Sequence, residues 1–261
     1  MKRLRAYFEQ IVLIRFIWRS VRLPLHYFLF LRDYLRYSQM LGQTGKIRLR
    51  WKDRYPCLFD STVTTGFDRH YVYHTAWAAR QLADTRPEEH IDIGSSLYFV
   101  ALVSAFVPIR FYDYRPAELS LSGLSCGHAN LLTLHFEDNS ISSLSCMHVI
   151  EHIGLGRYGD PLDDKGDVKA AAELSRVLAP DGRLLLVTPV GRPRTAFNAH
   201  RIYSYEQVCA LFPGLRLISF SLVPDDPSIG LLIAPKTELV DGQAYGCGCF
   251  CFVKDRPEDL L

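Results

Sequence analysis

The residues best suited to chemistry fall into two groups. Asp92-Ile93-Gly94-Ser95-Ser96 closes a short strand pattern that begins at His90, and Asp113 closes a second, Ile109-Arg110-Phe111-Tyr112. An apolar run of helical character lies between them. Strand, small-residue turn, helix, strand and acidic stop make a βαβ unit suited to the adenosine end of a cofactor. The small residues let backbone approach the ligand, and the terminal carboxylate accepts hydrogen bonds from ribose hydroxyls. The second group is rich in histidine: Met147-His148, then Glu151-His152, then a basic loop holding Arg192, Arg194, Asn198, His200 and Arg201. A histidine within reach of a hydroxyl can take its proton. Arginines grip carboxylate or phosphate through paired N–H donors. His200 is the first candidate for a general base and His152 the second, although the Glu151-His152 pair can equally brace the sheet and the helix start. Tyr158, Asp160 and Asp163 occupy a Gly- and Asp-rich loop, read as a lid over a substrate.

Positioning these groups requires alternating elements. Phe67 to Leu82 reads as a helix capped by Asp68, followed by the βαβ unit from His90 to Tyr114. Pro116 to Leu124 is expected to be a short helix, Asn130 to Leu134 a third strand and Ile141 to Val149 a fourth. Ile150 to Ile153 begins a helix, and Asp167 to Leu178 forms a longer one stopped by Pro180-Asp181-Gly182. Arg183 to Pro189 is a buried strand, Val190 to Tyr203 a loop, and Ser204 to Phe212 a helix capped by Ser204. Leu215 to Leu222 and Cys247 to Lys254 are the last strands, joined by a long Pro/Gly/Asp connection. The result is an α/β protein with a doubly wound, mostly parallel sheet of about seven strands.

The chain has 261 residues, 48% of them hydrophobic, enough for one full core, and a net charge of +2 that excludes a general attraction to nucleic acid. The charge is uneven. Residues 1–36 carry eight Lys/Arg against Glu9 and Asp33, a local +6, while the remainder carries −4. Arginines 15, 19 and 22 interrupt the apolar stretch, which argues against a signal peptide and a spanning helix. On a helix they form one stripe, and Pro24 ends or kinks it. Residues 1–44 are read as a basic amphipathic arm and 45–261 as the catalytic-type domain. Residues 1–41 either lie in the plane of an anionic membrane surface or pack on protein. The expected location is cytoplasmic, peripheral on the inner face of the membrane.

The seven cysteines are odd in number and form no CxxC pair, which fits a reducing compartment. Cys247, Cys249 and Cys251 share one face of a strand and read as small apolar filler. The nine histidines show no HExxH spacing, so no metal is expected.

Over roughly Tyr71 to Lys254 the sequence resembles the class I S-adenosylmethionine-dependent methyltransferases. Asp92 and Gly94 match the acid and first glycine of that family's glycine-rich turn, with Ser96 and Tyr98 where further glycines stand. Asp113 matches the acid at the end of strand two, and Asn130-Leu131 the adenine-side position. HFEDNSISSLSCMHVIEHIG resembles the family's FxDxSFDxVxSxHVLEHI tract, and APDGRLLLVTP, from Ala179 to Pro189, its post-helix strand. The resemblance implies a Rossmann-like methyltransferase fold and S-adenosylmethionine as cofactor. It assigns Asp92, Gly94, Ser95, Ser96, Asp113, Tyr114, Asn130, Leu131, Met147 and His148 to cofactor contact. Tyr158, Asp160, Arg194, Asn198 and Arg201 are then candidates for acceptor contact. His148 to Asp167 and Asn198 to Tyr203 further resemble a bacterial subgroup, some of it associated with surface-polysaccharide genes, which makes a glycan hydroxyl the expected acceptor. A non-catalytic cofactor-fold interaction module is the alternative, and a nicotinamide oxidoreductase, lacking GxGxxG, ranks last.

Overall fold

A computed structural model of the chain describes residues 20, 22–41 and 49–256. The stripe of Arg15, Arg19 and Arg22 and the boundary at 44/45 fall largely or wholly outside the described residues. The chain divides into two compact units, Met1–Gly66 and Phe67–Leu261.

In the first unit, residues 22–41 are helical (α1), with Pro24 inside the helical run. Tyr34 meets Trp51 edge-on, ring centroids 5.1 Å apart, and Arg54 lies over the Trp51 ring at 4.2 Å. Leu23, Leu25, Phe28, Leu35 and Met40 of α1 are exposed. Among the described residues no helix is long and apolar enough to cross a membrane.

The second unit is a twisted sheet covered on both faces by helices. It begins with α2 (Arg69–Thr85), where the Asp68 carboxylate accepts from the Tyr71 N–H at 3.2 Å and satisfies one of the orphan donors of the first turn. His74, Trp77, Ala78 and Leu82 recur at helical spacing and form its buried face. Next come β1 (His90–Ile93), α3 (Leu97–Val103), β2 (Ile109–Asp113), β3 (Leu124–His128) and β4 (Ile141–Met147). They are followed by α4 (Gly166–Val177), β5 (Leu178–Val190), the hairpin β6 (Arg194–Ala196) and β7 (His200–Ile202), and α5 (Tyr205–Ala210). The unit ends with β8 (Arg216–Val223), β9 (Leu232–Ile233), α6 (Thr237–Asp241) and β10 (Gly246–Val253).

The main sheet has the order β3-β2-β1-β4-β5-β10-β8-β9. Pairing is parallel from β3 through β5, and β10 inserts antiparallel between β5 and β8. The chain therefore winds outward from β1 to β3 and then returns to β4. That reversal leaves a crevice beyond the carboxyl ends of β1 and β4, where open α/β sheets bind ligands. Two apolar layers cover the sheet. One packs Leu174 and Val177 of α4 and Phe212 on Leu144, Leu186 and Phe250, and the other packs Trp77, Leu82, Phe99 and Val103 on Phe111, Met147 and Val187. Complete burial of Leu82 or Phe99 stabilises the fold by about 1.5–3 kcal/mol each. Cys247, Cys249 and Cys251 join the second layer.

Several expectations change. The third strand is Leu124–His128, not Asn130–Leu134, and the segment from Pro116 to it is irregular rather than helical. As the sheet's outer strand it pairs with β2 alone, so LSCGH has one ladder to satisfy and little apolar surface to bury. The tract after β4 is a single 3-10 turn, Ile150–His152, because Ile153 returns to extended backbone. The basic loop folds into the β6–β7 hairpin. The long connection before the last strand contains β9 and α6.

Candidate functional site

The crevice holds a cavity of about 250 Å³ lined by Ile93, Gly94, Asp113, Tyr114, Arg115, Ala129, Asn130, Leu131, Leu132, His148, Val149, His152, Ile153, Tyr158, Asp160 and Pro161. The tight turn after β1 forms its floor. Gly94 is left-handed at φ +70°, and a Cβ added there would stand 3.2 Å from the Val149 side chain. Asp113, at the tip of β2, accepts the Arg115 N–H at 2.7 Å through Oδ1. Its Oδ2 lies on the Gly94 side, 3.7 Å from where that Cβ would be. Asn130 uses its side-chain oxygen to accept the Leu132 N–H at 3.0 Å, an Asx turn that sets the Leu131 wall.

Asp92, Ser95, Ser96 and Met147, also expected to contact a cofactor, lie behind the cavity wall. Asp92 is fully buried, and its oxygens accept the Ser95 N–H at 3.0 Å and the Ser145 hydroxyl. Burial pushes its carboxyl up to about 6, against the pull of those hydrogen bonds. Ser145 also meets Nε2 of the buried His90 at 2.8 Å, while His90 Nδ1 meets Ser143 at 2.8 Å. Burial lowers His90 to about 3, so it is neutral. Asp92 is thus tied into a polar brace between β1 and β4. The Ser95 hydroxyl accepts the Met147 N–H at 3.1 Å, and Ser96 stands just before α3. Tyr98, in a position where relatives carry glycine, is 85% exposed and does not enter the cavity.

Above the floor stands a wall of rings gathered from four distant segments. His148 follows β4 in the left-handed region at φ +58°, unusual for a residue with a side chain. Its Nδ1 meets Glu151 Oε1 at 2.8 Å, and its Nε2 lies 3.6 Å from Cys247 Sγ. The His70 ring stacks on His148 at 5.5 Å and on Tyr245 at 4.9 Å, and Tyr71 stacks on His148 at 5.6 Å. Tyr245 in turn lies 4.8 Å from His200. At the centre is Glu151, fully buried and pushed up to about 7 by that burial, with no hydrogen-bond partner for Oε2. Burial also holds His70 and His148 at about 4, so both are neutral near pH 7.

Of the two expected bases, His152 lines the cavity and His200 does not. His152 Nδ1 donates to the Ala199 carbonyl at 2.6 Å, which leaves Nε2 with its lone pair. The His200 ring is 6.4 Å from His152 and half-buried. Burial lowers both histidines' pKa.

Tyr158 and Asp160 line the cavity, and Asp163, of the same loop, does not. Asp160 accepts backbone N–H groups of Gly154, Gly156 and Tyr158 at 2.9, 3.3 and 3.1 Å and so staples the loop. The Arg115 guanidinium lies 4.6 Å over the Tyr158 ring. The basic residues read as an acceptor grip are arranged differently. Arg201 is buried, donates to the Ile153 carbonyl at 2.7 Å and sits 3.5 Å from Asp167, so it clamps the loop to α4. Arg194 is exposed and donates to the Arg192 and Ala244 carbonyls, while Asn198 is exposed at the hairpin turn. None of the three lines the cavity. Sequence reading missed the gathering of His70, Tyr71, Tyr245 and Cys247 about Glu151, because no local spacing announces it.

The doubly wound sheet has the fold of solved S-adenosylmethionine-dependent methyltransferases. A 1,6-didemethyltoxoflavin-N1-methyltransferase of Burkholderia thailandensis, solved with 1,6-didemethyltoxoflavin and S-adenosylhomocysteine, superposes with a TM-score of 0.50 at 14% identity, over 88% of this chain and 89% of that one. A chain from a complex between the Haloferax volcanii Trm112 methyltransferase activator and a methyltransferase gives 0.50 at 17% identity, over 72% and 91%. More particularly, residues 132–229 match a family described as a Caenorhabditis protein of unknown function, DUF268. No curated protein matches the chain.

Proposed function

We propose that the chain is a methyltransferase that takes its methyl group from S-adenosylmethionine and delivers it to a hydroxyl acceptor, a surface glycan or a precursor of one. One observation carries this reading: Gly94, Asp113, Asn130, Leu131 and His148 converge on a single cavity at the switch point of the sheet. The residues fit such a cofactor. Asp113 Oδ2 would receive the ribose hydroxyls, the faces of Ile93, Leu131 and Val149 would flank adenine, and the left-handed turn at Gly94 would leave room that a side chain would fill. When bound, the cofactor supplies an electrophilic methyl group. The chain's own part is to align the acceptor in line with it, exclude water and remove the acceptor's proton.

His152 is our choice for that proton. Its support is a cavity-facing position and an Nδ1–H held by Ala199, which reserves Nε2 as the acceptor. His200 would support it from behind. Tyr158 and Asp160, which line the cavity, would cover the acceptor. The glycan class rests on the resemblance of His148–Asp167 and Asn198–Tyr203 to their bacterial counterparts. We further propose that the basic arm holds the protein to the inner face of a membrane, supported by the exposed apolar residues of α1 beside Arg32 and Arg36.

Calorimetric titration of the full chain with S-adenosylmethionine, S-adenosylhomocysteine and NAD tests the cofactor. Both sulfur nucleotides should bind and NAD should not. Binding of NAD alone, or of none of the three, would overturn the proposal. Flotation with anionic and neutral vesicles tests the arm, and equal recovery with and without residues 1–41 would count against it.

A further inference from the structure

His70, His148 and Cys247 present ligand atoms that all lie within 4.8 Å of one another. They come from the first turn of α2, the exit of β4 and the start of β10, three segments that meet only in the fold. We propose that these residues form a binding site for a zinc-class divalent cation, immediately behind the cavity and sharing His148 with it.

The distances suit a metal. A tetrahedral centre with zinc–sulfur and zinc–nitrogen bonds of about 2.3 and 2.0–2.1 Å sets a sulfur-to-nitrogen edge of about 3.5–3.6 Å. The observed separation of Cys247 Sγ from His148 Nε2 is 3.6 Å. The third atom, on His70, lies within 4.8 Å of the other two, so the His70 ring closes on the ion when it binds.

The surroundings suit one as well. His148 Nδ1 is held by the Glu151 carboxylate at 2.8 Å, which directs the lone pair of Nε2 towards Cys247. A histidine that donates its other ring N–H to a carboxylate is the usual outer support of a metal ligand. Glu151 Oε2 is buried with no partner, an unbalanced acceptor beside the pair. A cation would compensate its charge. His148 is also held in a left-handed conformation at φ +58°, a strained geometry of the kind found where a ligand is clamped.

The donor set selects the metal class. One thiolate and two imidazoles favour zinc-like ions over magnesium or calcium, which take oxygen ligands. Three protein ligands leave a fourth position open, as in catalytic rather than structural zinc sites. On binding, the sulfur–hydrogen bond of Cys247 breaks, the sulfur–metal bond forms and the proton passes to solvent. The site stands whether or not the adjoining cavity takes S-adenosylmethionine.

The test is titration of the reduced, chelator-stripped full chain with Co²⁺ alone, followed by Zn²⁺. One equivalent of Co²⁺ should bind and produce sulfur-to-cobalt charge transfer in the near ultraviolet with intense tetrahedral bands in the visible. Zn²⁺ should abolish both. Cys247→Ser should remove the charge transfer, whereas Cys57→Ser, which changes an exposed thiol, should not. His70→Ala, at a half-buried helix start, should weaken Co²⁺ binding at least tenfold even if Cys247→Ser fails to fold. Absence of charge transfer in the unmodified protein would overturn the site, as would its survival in Cys247→Ser or an unchanged affinity in His70→Ala. A thiol–imidazole hydrogen bond would then be the whole of the arrangement.

Discussion

Replacing Asp113 separates cofactor binding from structural support within one carboxylate. Oδ1 accepts the Arg115 N–H at 2.7 Å and holds the turn after β2, while Oδ2 faces the Gly94 side of the cavity. Asn keeps an acceptor for Arg115 and loses the charge; Ala loses both. A hydrogen bond to a charged group contributes about 1.5–3 kcal/mol. Asp113→Ala should therefore bind S-adenosylhomocysteine about 10- to 150-fold more weakly by calorimetry. It should also lose about 0.5–1.5 kcal/mol of stability in urea with the turn contact. Asp113→Asn should keep nearly full stability and still bind several-fold more weakly. An Asp113→Ala protein that is folded and binds within twofold of the parent would refute the ribose assignment. Parallel losses of stability and binding in both variants would mean that the residue acts on the turn alone.

Three further outcomes follow from the same geometry. Gly94→Ala places a Cβ at φ +70° against Val149, so it should cost about 1–2 kcal/mol in thermal unfolding and weaken nucleotide binding; wild-type values in both would show that the turn is not at the ligand. Arg201→Ala leaves Asp167 and the Ile153 carbonyl without their clamp and should cost about 3–5 kcal/mol by urea denaturation. Unchanged stability with impaired activity would return Arg201 to acceptor binding. In the third, stability measured in chelator should fall as pH drops below about 6.5. His74 is buried, and that burial lowers it to about 3, so the unfolded chain takes up a proton that the fold refuses, at about 1.4 kcal/mol per pH unit. His90 and His148 act in the same direction but are opposed by Asp92 and Glu151, whose raised values of about 6 and about 7 favour the fold as pH falls. His74→Leu should flatten the acid limb, and an unchanged slope would contradict this assignment.

The parts of the molecule legible in the sequence are those fixed by neighbours along the chain. Asp68 caps α2 and Ser204 caps α5 through contacts three residues away, and the turn at Gly94 follows from one glycine between a strand and a helix. Asp113 was legible because the tip of a strand beside that turn has little choice of where to point. The edge strand Leu124–His128 was not, since a strand paired on one side and half-exposed need show no apolar alternation. The ring wall was hidden for a different reason. Antiparallel insertion of β10 beside β5 carries Tyr245 and Cys247 to the end of the sheet where β4 delivers His148, and α2 starts at that point with His70. No local pattern encodes that meeting. The Arg-rich loop misled because charge alone does not say whether a guanidinium faces a ligand or, as Arg201 does, a backbone carbonyl.

The central claim is that the cavity at the β1–β4 switch point is an S-adenosylmethionine site, and a crystal structure of the full chain grown with S-adenosylhomocysteine tests it most directly. The ribose hydroxyls should lie on Asp113, adenine against Leu131 and the sulfur towards His148 and His152. Nucleotide density elsewhere on the chain, or a cavity left without nucleotide at saturating concentration, would contradict it.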